Sequence, residues 1–205
     1  MALTEKALVD VYFVSGSDPP RTCAIAYSWP VAMLTRICGR FAKAMEHGAV
    51  DVEKRTGRRM WHIRDRTGVV SIKAMRIVFI WLSGYYVSGA PGEMRTTRIP
   101  IDLGEEKWGA TGTAAMRQAL RFLELQGELK DQNHLKAPIR AYLLARRYSD
   151  WDDVVFVWLC LAEEDELRQL FIEEVTAYVN DSRQVSYGPA AVLKNLRSTK
   201  ADHIV

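Results

Sequence analysis

The sequence has no apolar stretch long enough to cross a membrane as a helix. Its longest apolar runs, IVFIWL at 77–82 and VVFVWLCLA at 154–162, fall well short of the roughly 18 to 20 residues that a span needs. The first fifteen residues place Glu5, Lys6 and Asp10 where a signal peptide has its apolar core. We therefore expect a protein that is not secreted, has no transmembrane helix and contacts membranes only peripherally.

Motifs for catalysis or metal binding are also missing. Cys23, Cys38 and Cys160 lie far apart without C-x-x-C spacing, and the four histidines stand singly, so a reducing compartment and no metal are expected. No G-x-S-x-G motif surrounds a serine. GATGT at 109–113 lacks the Lys-Ser/Thr ending of a P-loop, which favours a plain helix start over a phosphate cradle. These absences predict a protein that is not an enzyme and has no cofactor and no small-molecule substrate.

The composition predicts one globular domain over residues 1–205, since 205 residues with 48% apolar content can bury a core. ALVDVYFVS at 7–15 is rich in β-branched and aromatic residues and predicts a strand. YSWPVAMLTRICGRFAKAMEHG at 27–48 predicts a single helix, capped by Ser28 and closed by Gly48.

Further elements follow from periodicity. Helices are predicted at 108–129 and 163–181, strands at 95–103 and 154–162, and a helix or a strand at both 71–87 and 139–147. Residues 87–94 are expected to form a flexible loop and residues 195–205 a disordered tail. The mixture predicts an α+β fold: a single compact domain with a small mixed or antiparallel sheet packed with three to four helices.

Positive charge is concentrated in EKRTGRRMWHIRDRTGVVSIK at 53–73. This segment carries a net charge of +5, whereas the whole chain carries +3. Two RTG triplets flank RRMWHIRD and predict a hairpin in which a strand at 58–65 turns into VVSIK at 69–73. A hairpin gathers cations on one surface, which favours anion binding over an ordinary solvated hairpin. The predicted anion-binding residues are Lys54, Arg55, Arg58, Arg59, Arg64, Arg66, Lys73 and Arg76.

Trp61 lies in the middle of this segment and has two interpretations. Strand alternation places Trp61 with Ile63 on one face, and this pairing favours a core position. Alternatively, the indole stacks on a base or lies at a membrane interface.

The order of the elements resembles that of rhabdovirus-type matrix proteins. The resemblance covers about a third of the chain: a first strand, a helix start at Tyr27-Ser28-Trp29, and a strand that leads into an acid-capped helix, VVFVWLCLAEEDELRQLF. It implies a small α+β protein in the host cytoplasm and in the virion, at the inner face of the membrane. Such a protein self-associates, contacts the ribonucleoprotein and supports budding. The P-P-x-Y budding motif of many such proteins is not matched, since Pro19 and Pro20 are followed by Arg21 and Thr22.

Two classes of function are therefore expected. The first is a non-enzymatic viral matrix protein that forms homo-oligomers and uses the basic hairpin on anionic membrane and ribonucleoprotein. The second is an intracellular RNA-binding protein that uses the same hairpin on RNA phosphates without a membrane role. An enzyme without a recognisable motif is the remaining alternative.

Overall fold

A computed structural model describes residues 7–14, 21–65, 68–87, 109–126, 129, 133–148, 150–161 and 165–181. Within these ranges the chain has a four-stranded mixed sheet and seven α-helices, which confirms the predicted α+β class with more helices than expected. Mutual proximity groups the chain into two units. The first comprises Met1–Glu106 with Ala115–Asn133, and the second comprises Lys107–Ala114 with His134–Val205. The single domain predicted over 1–205 stays a prediction.

The sheet of the first unit is built around its first strand. Strands β1 (Leu8–Val14), β2 (Thr22–Pro30), β3 (Val50–Val52) and β4 (Arg59–Arg64) lie in the order β2-β1-β4-β3. Strand β1 pairs antiparallel with β2 and parallel with β4, and β3 pairs antiparallel with β4. The strand predicted at 7–15 is thus confirmed over Leu8–Val14 as β1, one of the two inner strands.

Helices contribute the remaining core of the first unit. They are α1 (Val31–Ile37), α2 (Gly39–Glu46), α3 (Ile72–Val87) and the part of α4 (Gly109–Phe122) from Ala115 onward. Trp29 of β2 packs edge-on against Phe79 of α3, with ring centroids 5.3 Å apart. Phe41 of α2 meets Trp61 of β4 in the same way at 5.0 Å. The buried apolar side chains of β1 and β4, together with Trp29 of β2, therefore define an inner sheet face that packs on helices.

The single helix predicted at 27–48 is wrong. Residues up to Pro30 belong to β2, where Trp29 and Pro30 pair with Val9 and Leu8 of β1. Ser28 caps no helix: it has a positive φ of 55°, and its N–H donates to Asp10 Oδ1 at 2.8 Å. The helical remainder breaks at Cys38, which forms an isolated antiparallel bridge with Leu125. Gly48, with φ of 65°, does follow the end of α2 as predicted.

The second arm of the predicted hairpin is also wrong. Residues 69–71 are not in a strand, and α3 begins at Ile72. Strand β4 instead forms its hairpin with β3, which precedes it in the chain. Residues 77–82 lie in α3, where Phe79 and Trp81 are buried and Ile80 is 70% exposed, so most of this run is core.

The second unit contains α5 (Lys136–Ala145), α6 (Trp151–Cys160) and α7 (Glu166–Asp181), preceded by a short 3-10 helix at Asn133–Leu135. A cluster of four rings, those of Tyr142, Tyr148, Trp151 and Tyr178, joins these helices. Arg146 ends α5 with a φ of 48°, and its Nε donates to Glu174 Oε2 of α7 at 2.5 Å.

The strand predicted at 154–162 is wrong, because residues 154–160 belong to α6. Asp150 caps the helix by accepting from the N–H of Asp152 at 2.8 Å. Val154, Val157 and Trp158 are buried at helical spacing, so packing outweighs the β propensity of the sequence. For 139–147, where a strand and a helix were both open, the structure shows helix α5. The helix predicted at 163–181 is confirmed as α7.

Three predictions fall outside the described residues. They concern the flexible loop, of which only Val87 is described at the end of α3, the strand at 95–103 and the disordered tail at 195–205.

Candidate anion-binding surface

The β3–β4 hairpin has a short, internally hydrogen-bonded turn. The Glu53 N–H donates to the Arg58 carbonyl, and the Gly57 N–H to the Glu53 carbonyl, both at 2.8 Å. Gly57 has a φ of 67°, which only glycine adopts without strain. The Thr56 hydroxyl also donates to the Glu53 carboxylate. This turn holds Lys54 and Arg55 at an exposed tip.

The predicted anion-binding residues divide into four places. Lys54, Arg55 and Arg58 lie in the turn, Arg59 and Arg64 lie at the two ends of β4, and Lys73 and Arg76 lie on α3. Arg66 lies outside the described residues. The structure therefore places five of the eight predicted residues on the hairpin. Lys73 and Arg76 lie on α3 instead.

Arg58 has a structural partner in Asp10. Its Nη2 lies 3.2 Å from Asp10 Oδ2, and the Asp10 side chain is nearly buried while that of Arg58 is 57% exposed. The other Asp10 oxygen accepts the N–H of Ser28. Arg58 thus neutralises a buried carboxylate and still presents part of its guanidinium to solvent.

Arg76 serves mainly to hold β2. Its Nε and Nη2 donate to the Ala24 carbonyl at 3.3 and 3.1 Å, and Nη2 also donates to the Cys23 sulfur at 2.9 Å. With most of its donors engaged by backbone and sulfur, Arg76 is a poor candidate for a phosphate ligand.

Trp61 is a core residue, as strand alternation favoured. It is 3% exposed and packs on Phe41. This burial argues against the alternative, in which its ring stacks on a base or lies at a membrane interface.

Sequence reasoning missed a row of side chains across the outer face of the sheet. Tyr27 of β2 contacts Tyr12 of β1 edge-on at 6.4 Å between centroids, and Tyr12 stacks on His62 of β4 at 5.3 Å with 24° between the planes. The His62 Nδ1 lies 3.1 Å from Asp51 Oδ2 of β3. These residues form the outer row: Tyr27, Tyr12, His62 and Asp51.

The outer row depends on a β-bulge in β2 that no sequence motif predicts. Opposite Asp10, strand β2 changes register at Ser28, so Trp29 points into the core while Tyr27, two residues earlier, is 64% exposed. Strict alternation would have placed both rings on the same face. Burial, followed by the nearby Asp10 carboxylate, raises the pKa of the Tyr12 phenol above its ordinary value.

A cleft of about 800 Å³ borders the sheet where β3 ends. Strand β3 pairs only with Arg59, Met60 and Trp61, and the following residues of β4 line the cleft. Across the cleft, the Arg40 guanidinium lies 3.7 Å from the Phe122 ring centroid, and Lys43 Nζ lies 2.7 Å from Glu124 Oε2. The polar and ionisable lining residues are Arg40, Lys43, His47, Asp51, His62, Arg64, Asp65 and Glu124.

The described ranges hold no group of three or more His, Cys, Asp or Glu side chains placed to bind a metal ion. None of the helices in the described part of the chain combines the length and the apolar character that a membrane span requires.

A comparison of this chain with protein families, with curated proteins and with solved structures found no match. Two of the elements on which the rhabdovirus matrix resemblance rests differ in the structure, since Tyr27-Ser28-Trp29 lies in β2 and residues 154–160 lie in α6. The resemblance stays a hypothesis.

Proposed function

We propose that this protein is a non-enzymatic RNA-binding protein that contacts the phosphate backbone through the β3–β4 hairpin. The observation that supports this proposal most directly is that three cationic side chains of the hairpin lack an acidic partner among the described residues. Within the described residues, Lys54, Arg55 and Arg64 have no acidic partner, whereas Lys43, Arg140 and Arg146 are ion-paired with glutamates. Cations without a local counter-charge are the ones that gain most from binding phosphate.

The spacing of these cations favours a polymer over a small ligand. Lys54 and Arg55 lie in the turn before β4, and Arg64 lies at its far end. Strand β4 itself, five residue steps from Arg59 to Arg64, spans about 17 Å. A single phosphate cannot bridge that distance. A polyanion can contact both ends at once and gains from each contact.

A matrix-type role is the second candidate, in which the hairpin also contacts anionic membrane and copies of the chain assemble. The observation in its favour is Val52, which is 56% exposed immediately before the cationic turn. An apolar side chain beside cations is the combination that peripheral membrane proteins use at anionic lipid surfaces.

The test compares RNA and liposome binding on two variants with equal loss of charge. Lys54→Gln/Arg55→Gln/Arg64→Gln removes the proposed contacts, and Arg36→Gln/Arg140→Gln/Arg147→Gln removes three exposed cations elsewhere. We expect the first variant to flatten the slope of log affinity against log salt by about two for single-stranded RNA, and the control to retain the wild-type slope. An equal slope in all three proteins contradicts the proposal. Loss of binding to anionic liposomes in the first variant alone supports the matrix-type role.

A further inference from the structure

We propose that the outer face of the sheet is a stacking platform for the unpaired bases of a single-stranded nucleic acid. The inference rests on the proposed function, because the hairpin cations supply the phosphate contacts, and it adds the class of nucleic acid and the residues that select it. The outer row crosses all four strands, so its side chains span about three strand spacings, or about 14 Å.

The rings of the outer row form a surface that a base can cover. Tyr27, the most exposed of these rings, meets Tyr12 edge-on, and Tyr12 stacks on His62, so the three rings are contiguous across β2, β1 and β4. The exposed ring of Tyr27 offers the face that a base can cover. Hydrogen bonding to Asp51 fixes the orientation of the His62 ring. Base–aromatic stacking is tolerant of sequence because every base has a π face, but it requires bases that are not paired in a duplex.

A small side chain keeps the space beside this patch open. Tyr12 of β1 faces Ala24 of β2 in the ladder, so nothing larger than a methyl group rises from β2 at that position. Exposed aromatic rings that no large side chain covers are uncommon on a sheet and indicate a binding surface.

Charge lies on both sides of the aromatic patch. Arg58, which directly precedes β4, reaches over the outer face to Asp10 of β1. Arg64 is exposed at the end of β4, and His62 lies between the two arginines. The Asp10 carboxylate is already neutralised by Arg58, and Asp51 is engaged by His62 at the β3 edge. A single-stranded nucleic acid that lies across the sheet thus contacts the rings in the middle and has a guanidinium on either side.

The cleft continues this path beyond the outer row. His62 and Arg64 belong to both surfaces, and Arg40 and Lys43 line the far side of the cleft. A strand that passes over His62 therefore enters a basic and polar space that is large enough for a nucleotide.

The experiment measures the affinity of the full chain for three labelled probes of equal length: a 12-nucleotide oligouridylate, the same backbone without bases, and a 12-base-pair RNA duplex. Fluorescence anisotropy at fixed salt gives each Kd. We expect the wild type to bind the oligouridylate at least roughly tenfold more tightly than either other probe. Equal or tighter binding of the abasic strand or of the duplex overturns the inference.

The variants Tyr27→Leu and Tyr12→Leu remove one ring each, and Tyr27→Phe is the matched control that keeps the ring. Each leucine variant should weaken oligouridylate binding by roughly 5- to 100-fold and leave abasic-strand binding unchanged, and Tyr27→Phe should bind like the wild type. Because Tyr27 is mostly exposed, Tyr27→Leu tests the platform without disturbing the core.

The two proposals fail in different ways. If the leucine variants bind oligouridylate normally while Lys54→Gln/Arg55→Gln/Arg64→Gln does not, the stacking platform is wrong and phosphate binding by the hairpin stands. If the wild type binds none of the three probes, both proposals are wrong.

Discussion

Arg58 and Asp10 form an ion pair in which one partner is buried and the other is exposed. Asp10 Oδ2 lies 3.2 Å from the guanidinium, Asp10 Oδ1 accepts the Ser28 N–H, and the whole aspartate is 4% exposed. The pair joins the start of β4 to the centre of β1 and to the β2 bulge.

Replacing Arg58 should therefore reduce stability as well as binding. Arg58→Ala leaves the Asp10 carboxylate buried without its counter-charge, so we expect a loss of about 1–3 kcal/mol in the free energy of unfolding. Asp10→Asn/Arg58→Ala should recover part of that loss, because a neutral amide needs no counter-charge. Urea unfolding measures the free energy of unfolding of both variants. Arg55→Ala, at the exposed tip, is the control, and it should change this free energy by less than about 0.5 kcal/mol. Equal stabilities of Arg58→Ala and Arg55→Ala would show that the pair contributes nothing.

Trp61 should affect folding and not ligand binding. Trp61→Ala removes a buried ring that packs on Phe41, and we expect a loss of about 3–5 kcal/mol in the free energy of unfolding. Trp61→Phe should lose less and should bind oligouridylate as the wild type does. Weaker binding by a well-folded Trp61→Phe variant, judged by its circular dichroism and unfolding midpoint, would return Trp61 to the binding surface.

The three cysteines should differ in reactivity. Cys38 is buried, its S–H donates to the Leu123 carbonyl at 3.0 Å, and burial raises the pKa of its thiol to about 12. Cys160 is buried as well, whereas Cys23 is partly exposed. Ellman's reagent at pH 8 should therefore label one thiol in the native protein and three in urea. Cys23→Ser should abolish the native reaction, and rapid labelling of that variant would contradict the assignment.

The tyrosines of the second unit should make the protein sensitive to strong base. Burial raises the pKa of both Tyr142 and Tyr148 to about 12, against an ordinary value of 10, and the Tyr148 hydroxyl donates to the Leu143 carbonyl at 3.0 Å. Above pH 10 the unfolded chain loses these protons while the folded chain keeps them, so stability is fully present below pH 10 and declines as the pH rises toward 12.

Thermal unfolding from pH 8 to pH 11.5 measures this decline. Tyr148→Phe should lower the melting temperature at pH 8, because a buried hydrogen bond is lost, and should give a shallower decline above pH 10. An unchanged slope in Tyr148→Phe would show that this phenol does not carry the effect.

Local patterns predicted part of the fold. The β-branched and aromatic content of 7–15, the turn motifs that flank 58–65, and the acid-rich start and periodicity of 163–181 gave elements that the structure confirms as β1, β4 and α7. Strand β4 was assigned the wrong partner, because pairing with β1 bridges some fifty residues and no turn motif encodes it. The segments 27–30 and 154–160 were misassigned, because residue type alone cannot tell a buried helix from a strand.

The candidate site was predicted in its charges and missed in its rings. The cluster of cations at 53–64 is visible in the sequence, and its hairpin turn at Gly57 follows from turn chemistry. The outer row required knowledge of which strands are neighbours and of the Ser28 bulge, neither of which a single strand reveals. Trp61 lies among the arginines in the sequence, but its ring is buried, whereas Tyr27 presents an exposed ring on the sheet.

The break at Cys38 bears on how the protein folds. Here the chain between α1 and α2 is tied to the end of α4 by hydrogen bonds from Gly39 to Glu124 and from Gln126 to Ile37. These contacts join residues more than eighty positions apart, so closing them costs more chain entropy than any hairpin or helix turn. We therefore expect this joint to form late in folding, so that weakening it with Cys38→Ala speeds unfolding and leaves the folding rate nearly unchanged.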